Sequence, residues 1–273
     1  MAAASSDRRR FLNYLVNSVN AFEDAAEFAI GCSMARGMGQ SVETSGELDT
    51  ERAPRGGWKQ DPAGVQSNIL AVAMAEFSNS GLSGARMDEI AAKTRTSKRM
   101  IYYYFGDKDG LYRRVLEEAY RKVREGEQKL DLEHLPPVEA LRRLVEFTFD
   151  HHSRHPDFIR IVMIENIHHG HYMEQSELIR DVNAGAIEKL DAICKRGRKE
   201  GLFRKDIDAL ELHWHISAFS FFNVSNRATF SRIFGGHLFT VEGQDKLLRH
   251  VVDLILRFVL KDPLAAAGST TRR

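Results

Sequence analysis

SKRMIYYYFGDKDGLY, residues 97–112, decides how this chain is read. Ser97 is a favourable N-cap, because its hydroxyl oxygen accepts a first-turn N–H, and Lys98 and Arg99 follow in that turn. Ile101 and Phe105 stand one turn apart, on a face suited to packing inward. The opposite face then carries Lys98, Arg99, Tyr102 and Tyr103. Long cations at a helix N-terminus reach guanine edges in a major groove, and phenol hydroxyls donate to the phosphates beside them. The pattern predicts a helix that enters duplex DNA.

The residues before it supply the support such a helix needs. Val65, Ile69, Val72, Ala73 and Phe77 recur at helical spacing, and Gly81 follows as a stop signal. Met87, Ile90 and Ala91 mark a short second helix, with Asp88 and Glu89 in the first turn, where the helix dipole favours them. A brief turn, Lys93 to Thr96, leads to Ser97. Helix, tight turn, helix is the unit in which one helix crosses the backbone and the next lies in the groove.

On these residues, 65–112 resembles the DNA-binding domain of the tetracycline-repressor (TetR/AcrR) family of bacterial regulators. The matching stretches are ILAVAMAEFSNSGLSGARMDEIAAKTRTSK, residues 69–98, and RMIYYYFGDKDGLYRRVL, residues 99–116. The resemblance implies an all-α protein. A three-helix head with a helix-turn-helix, residues 61–106, would precede a helical effector-binding and dimerisation domain, residues 107–262. It further implies that Lys98, Arg99 and Tyr102 face bases, while Tyr103, Tyr104 and Lys108 hold phosphates, Lys108 matching the family's phosphate-binding lysine. Two positions depart from the family pattern. Arg95 stands where members commonly carry glycine, so the turn is either left-handed at a cost of about 1 kcal/mol or wound differently. Ala85 and Arg86 stand where hydroxyl residues usually open the second helix; Arg86 is read as replacing a hydroxyl contact with a charge-assisted one.

Composition sets the remaining bounds. A chain of 273 residues, 43% hydrophobic and 28% charged, has room for a small head and a larger core-forming domain. It is expected to fold without metal, cofactor or disulfide. A formal net charge of +1 does not mark a nucleic-acid binder, so affinity must come from a local patch of Arg86, Lys93, Arg95, Lys98, Arg99 and Lys108. Cys32 and Cys194 make no metal or redox spacing, which favours free thiols in the cytoplasm. In residues 1–60, Arg8 to Arg10 precede the mildly apolar Phe11 to Ile30, which asparagines and acids interrupt too often for an export signal or a membrane span. Leu12, Leu15, Val16 and Val19 suit one short amphipathic helix, and Gly31 to Gly57 reads as a linker. The segment is read as a dispensable extension, with Met34 or Met38 as alternative starts and a basic arm reaching DNA as the other reading, and residues 263–273 as a flexible tail.

Beyond the head the periodicity is helical throughout. Helices are expected over Asp107 to Lys129, from Pro137 through Phe149, over Asp157 to Ile167, Ser176 to Glu200, Asp208 to Phe234 and Asp245 to Leu260. The third of these is apolar on nearly all sides and is expected to be buried. The last two show more apolar surface than a small bundle hides. The resemblance implies that they pair with a second copy in a C2 homodimer, so Phe219, Leu248, Val252, Ile255 and Val259 are taken as the seam. Such a dimer presents two recognition helices to an inverted-repeat operator in double-stranded DNA.

Polar residues within apolar helices are candidates for a small-molecule effector site: His151, Asn166, Trp214, Asn223 and Arg227, with Phe147, Phe158, Met163 and Phe222 as walls. Arg227 is assigned either a carboxylate ligand or Glu165 as partner. His151 with His155, and His168 with His171, have one-face spacing, but no cysteine or well-placed carboxylate completes a metal set. Neither HExxH, a GxSxG elbow nor a phosphate-binding glycine loop occurs, which disfavours an enzyme. The sequence therefore predicts a ligand-responsive repressor. The alternatives are a nucleoid-associated protein without an effector and a metal-responsive regulator.

Overall fold

The computed structural model describes residues 61–262; the expectations for 1–60 and 263–273 lie outside the described residues. Among those described, eleven α-helices account for the fold. Helix α1, Pro62–Gly84, starts where Asp61 accepts the Gly64 N–H at 2.9 Å and Pro62 supplies a first-turn residue that has no N–H to lose. Its regular part stops at Gly81, whose φ of 70° only glycine adopts freely. Helices α2, Met87–Thr94, and α3, Lys98–Phe105, complete the head, and α4, Lys108–Gln128, leads away from it under an Asp107 cap. Ile69, Ala73, Phe77, Ile90 and Ile101 are sealed in the head's core.

The turn between α2 and α3 is wound as the glycine of the family pattern would have it. Arg95 takes φ 53°, ψ 32°, while the Arg95 and Thr96 N–H groups bond back to Ala92 and Ala91 carbonyls at 3.2 and 3.0 Å. These bonds close the end of α2 and hold arginine in a left-handed conformation costing about 1 kcal/mol.

The second domain consists of α5, Pro137–Arg154; α6, Pro156–Ile167; α7, His171–Glu174; α8, Glu177–Lys199; α9, Ala209–Ser225; α10, Arg227–Phe234; and α11, Val241–Val259. Its core joins Leu141, Val145 and Phe149 of α5 to Leu190 and Cys194 of α8, Leu212 and Ile216 of α9, and Val252, Ile255 and Val259 of α11. The two domains share a boundary. Helix α1 lies along both α4 and α6, and Ile161 and Ile179 of the second domain complete the head's own core.

Three expectations need correction. The helix expected from Asp208 to Phe234 breaks at Asn226, φ −100°, ψ 2°, whose side-chain amide donates to Ser225 Oγ at 2.8 Å; such short polar side chains compete with the helical ladder. The last helix begins at Val241 instead of Asp245, because the Thr240 hydroxyl caps it through the Gly243 N–H at 3.1 Å. Finally, α6 is not buried on all sides: Ile159, Ile161 and Glu165 are enclosed, while Met163 and Ile167 meet solvent.

Candidate DNA-binding surface and effector cavity

Helix α3 displays the expected side chains. Ser97 Oγ accepts the Met100 N–H at 3.2 Å, and Ile101 and Phe105 anchor the inner face in the head's core. Tyr103 is 80% exposed and Tyr102 41%, with Arg99 exposed between their turns. Tyr104 is half-buried and meets Tyr103 and Phe105 edge-on, so its ring braces the helix end. Met100, also 41% exposed, was missed because methionine in an apolar pattern reads as core.

The cations are not equivalent. Lys98 Nζ sits 2.5 Å from Asp88, and Lys93 Nζ sits 2.7 Å from Glu76 and donates to it. Lys108 Nζ donates to the Ser83 carbonyl at 3.3 Å, tying the start of α4 to the end of α1. Arg86, Arg95 and Arg99 are exposed and have no carboxylate at ion-pair distance among the described residues. Arg86 occupies the N-cap of α2 without a side-chain capping bond, so its exposed guanidinium belongs to the same end of the helix as uncapped first-turn N–H groups.

Helix α4 and the second domain line a cavity of about 910 Å³ that opens to solvent beside the exposed Leu210 and Trp214. Tyr120, Arg124 and Glu127 of α4 line one side, at spacings that put them on one face. His152 of α5, Phe158 and Asn166 of α6, Met173 of α7 and Asn183 of α8 close the others, with His213, Trp214 and Phe221 of α9 opposite. Arg124 forms a buried ion pair with Glu127 at 2.5 Å and donates to Asn183 Oδ1 at 2.7 and 3.2 Å. Burial, followed by the neighbouring His151, pushes the His152 imidazole down to about 4; burial, then the Arg124 charge, pushes His213 down to about 4. Both are neutral at pH 7. His152 Nδ1 has no hydrogen-bond partner, and Ser217 Oγ lies 3.4 Å from His213 Nε2. Burial raises the Tyr120 phenol to about 12; its hydroxyl contacts Met173 Sδ at 3.8 Å and its ring meets Phe158 edge-on.

The nine effector-site candidates are not brought together. Phe158, Asn166 and Trp214 line the large cavity. Phe147 and His151 line a separate recess of about 350 Å³, because consecutive residues on α5 point some 100° apart and His152 takes the inward direction. Met163, Asn223 and Arg227 line a third, of about 500 Å³, between α6, α9 and α10. Phe222 is largely exposed and packs edge-on against Phe230. Glu165 is not the partner of Arg227: beyond the break at Asn226 the guanidinium lies over the Phe239 ring and donates to the Phe239 carbonyl at 3.4 Å, while Glu165 accepts backbone N–H groups elsewhere.

The expected dimer seam also needs revision. Val252, Ile255 and Val259 are 4%, 2% and 0% exposed inside a single chain, filling its core against α5 and α9, and Leu248 is half-buried against the same core. Phe219 is exposed, as are Phe222 on α9 and Leu254 on α11. No group of three or more His, Cys, Asp or Glu side chains suited to a metal occurs among the described residues, although the His151 and His155 rings meet edge-on with centroids 4.3 Å apart. No helix of the described residues is long and apolar enough to cross a membrane.

Comparison with known proteins agrees with this architecture. The family described as bacterial regulatory proteins, tetR family, matches residues 69–115, and the tetracyclin repressor-like C-terminal domain matches residues 137–255. The HTH-type transcriptional repressor NicS of Pseudomonas putida is 36% identical over 193 residues, covering 71% of this chain and 91% of NicS. A bacterial regulatory protein in the tetR family from Rhodococcus superposes with a TM-score of 0.57 at 20% identity, over 72% of this chain and 98% of that one. A transcriptional regulator from Saccharomonospora viridis, solved in complex with choline, gives 0.54 at 20% identity over 73% and 100%. Matches to both domains, with the NicS likeness running through most of either chain, place this protein in the TetR family of helix-turn-helix DNA-binding transcriptional regulators, which are not enzymes.

Proposed function

We propose that the protein is a cytoplasmic, ligand-responsive repressor that binds an inverted-repeat operator as a homodimer and leaves it when a small organic molecule fills the 910 Å³ cavity. One observation carries this reading: the cavity's walls include α4 and α6, the two helices on which α1 of the head rests. A ligand that prefers a different spacing of those helices shifts the heads away from their half-sites. The repressor NicS and the choline-bound structural relative support the reading by analogy. The wall's charges balance, Arg124 and Arg180 against Glu127 and Glu174, and its histidines are neutral. With Phe158, Trp214 and Phe221 as ring surfaces, it suits a flat, mostly apolar effector.

The test begins with duplexes selected from random DNA by the full chain. Arg99→Ala is expected to lose discrimination at one base pair by about 1–3 kcal/mol, whereas Lys108→Ala weakens selected and random duplexes alike and lowers the salt slope by about one. Titrations across salt and operator variants separate the two, and unchanged affinity in both folded variants would reject the surface. Metabolites linked to genes beside the genomic site are then screened for operator release. A protein that binds DNA without sequence preference and ignores them all is a nucleoid-associated protein instead.

For assembly, the exposed Phe219, Phe222 and Leu254 replace the buried trio as the proposed seam. Phe219→Asp with Leu254→Asp is expected to give a folded monomer with operator affinity down by about tenfold or more, since one head then binds without its partner. Light scattering of a folded double variant that remains dimeric would refute this seam. Val252→Asp is expected to unfold the chain instead.

A further inference from the structure

The recess of about 500 Å³ between α6, α9 and α10 differs from its neighbours in charge. Arg160 of α6 and Arg227 of α10 line it, and among the described residues no aspartate or glutamate does. The large cavity sets Arg124 and Arg180 against Glu127 and Glu174, and the recess beside His151 sets Arg143 and Arg154 against Glu146 and Asp150. Arg160 donates to Asn79 Oδ1 of α1 at 2.9 Å and Arg227 to the Phe239 carbonyl at 3.4 Å, and neither has a carboxylate at ion-pair distance among the described residues. A guanidinium carries five N–H donors, so most of each fork is unclaimed by protein. An exposed arginine is ordinarily solvated on its own; two that line one recess without a counter-charge raise its potential together.

The rest of the lining is fixed by bonds of its own. Asn223 of α9 and Gln244 of α11 exchange amide hydrogen bonds at 2.7 and 3.1 Å, Gln244 donates to the Leu238 carbonyl at 2.8 Å, and Asn223 donates to Ser153 Oγ of α5 at 3.4 Å. These bonds hold the polar wall in place across three helices. Arg227 reaches the recess because the break at Asn226 starts α10 there, and α10 has no side-chain cap, so its first-turn N–H groups lack a side-chain acceptor as well. Met163 of α6, 37% exposed, lies in the same lining and offers an apolar surface beside the two cations.

We propose that this recess is a second ligand site, separate from the 910 Å³ cavity, and that it takes a small organic oxyanion: a carboxylate or a phosphate monoester held by the Arg160 and Arg227 guanidiniums, with its apolar body against Met163. Its volume is within the range of small-molecule pockets, and a guanidinium fork matches the paired oxygens of either anion. Binding here needs neither DNA nor an occupant in the large cavity, so the site stands or falls independently of the operator reading.

The full chain, with its methionine methyl groups isotope-labelled, is titrated at physiological salt with benzoate and phenyl phosphate, and with benzamide as their uncharged counterpart. The Met163 methyl reports on the recess and the Met173 methyl on the large cavity, so the spectrum tells which of the two fills. Both anions are expected to shift Met163 saturably with a Kd of about 1 mM or tighter, and benzamide to need at least about tenfold more. The tighter of the two anions names the head group the site prefers. Arg227→Gln changes an exposed side chain, and is expected to weaken both anions at Met163 about tenfold without altering the Met173 response. No Met163 shift at about 10 mM of either anion would overturn the proposal, as would benzamide binding as tightly as benzoate, neither of which depends on a variant folding. Full anion affinity in a folded Arg160→Gln, Arg227→Gln double variant would overturn it too. So would displacement of both anions from Met163 by duplex DNA, which would assign the two arginines to the phosphate backbone instead.

Discussion

Arg124→Leu is expected to destabilise the protein by about 3–5 kcal/mol, and adding Glu127→Leu to recover most of that loss. The two side chains are 11% and 9% exposed and pair at 2.5 Å, with Asn183 Oδ1 accepting from the guanidinium on its other edge. Removing the cation leaves a carboxylate, 9% exposed, without its ion-pair partner in a wall made mostly of apolar groups. Removing both charges leaves only a change of shape, which buried pairs tolerate well when apolar groups of similar volume replace them. Urea unfolding of the parent, both single variants and the double variant measures the coupling between the two residues. Additive single-site losses would show that the pair is solvated and that the cavity wall is wetter than its geometry indicates. The same cycle reports on function, because the pair sits on α4, the helix that carries Lys108 and Tyr112 toward the head. If the pair sets the angle of α4, the double variant regains stability without regaining the parent's response to cavity ligands.

How much of this was legible in the sequence depends on whether the signal was local. The head was readable nearly residue by residue: Ser97 caps and Ile101 and Phe105 face inward, because caps and four-residue spacings are local facts, while the sequence left the winding at Arg95 open and the structure makes it left-handed. The ion pairs that engage Lys98 and Lys93 were not, since they join side chains ten and seventeen residues apart in the chain. The cavity failed differently. Choosing His151 over His152 was a matter of one residue, which on a helix is about 100° of direction. Tyr120, Arg124 and His213 looked like ordinary amphipathic-helix residues, and only packing shows that their faces converge. Three of the seam candidates, Val252, Ile255 and Val259, fall in the chain's own core for a related reason. A broad apolar stripe on α11 has one side for its own core and another for anything else, and a sequence does not say which is which.

The buried histidines make a second large effect, this one in acid. His152 and His213 titrate near 4 in the folded chain, because burial strips water from the charged imidazolium, whereas an unfolded histidine titrates at its ordinary value of 6.5. The folded state therefore binds fewer protons than the unfolded one between those two values. The stability contributed by the neutral histidines is fully present above about pH 6.5 and drains away as pH falls toward about 4. Between pH 7 and pH 5 the loss is expected to be about 2 kcal/mol for His152 and somewhat less for the half-buried His213. This window lies above the range where ordinary carboxylates titrate, so most of the change belongs to imidazole. Denaturant midpoints at the two pH values give the measurement, and His152→Gln with His213→Gln is the control: its loss over the window is expected to be clearly smaller than the parent's, the remainder coming from His151 and His155, which burial also pushes down. A parent protein equally stable at pH 5 and pH 7 would mean that the imidazoles are hydrated or paired in the folded chain. An effector that accepts a hydrogen bond from a protonated His152 would pull the same equilibrium the other way, taking up a proton as it binds and holding tighter at pH 6 than at pH 8. Such proton-linked binding would identify an anionic effector, whereas pH-independent binding would match the neutral, flat molecule that the balanced wall favours.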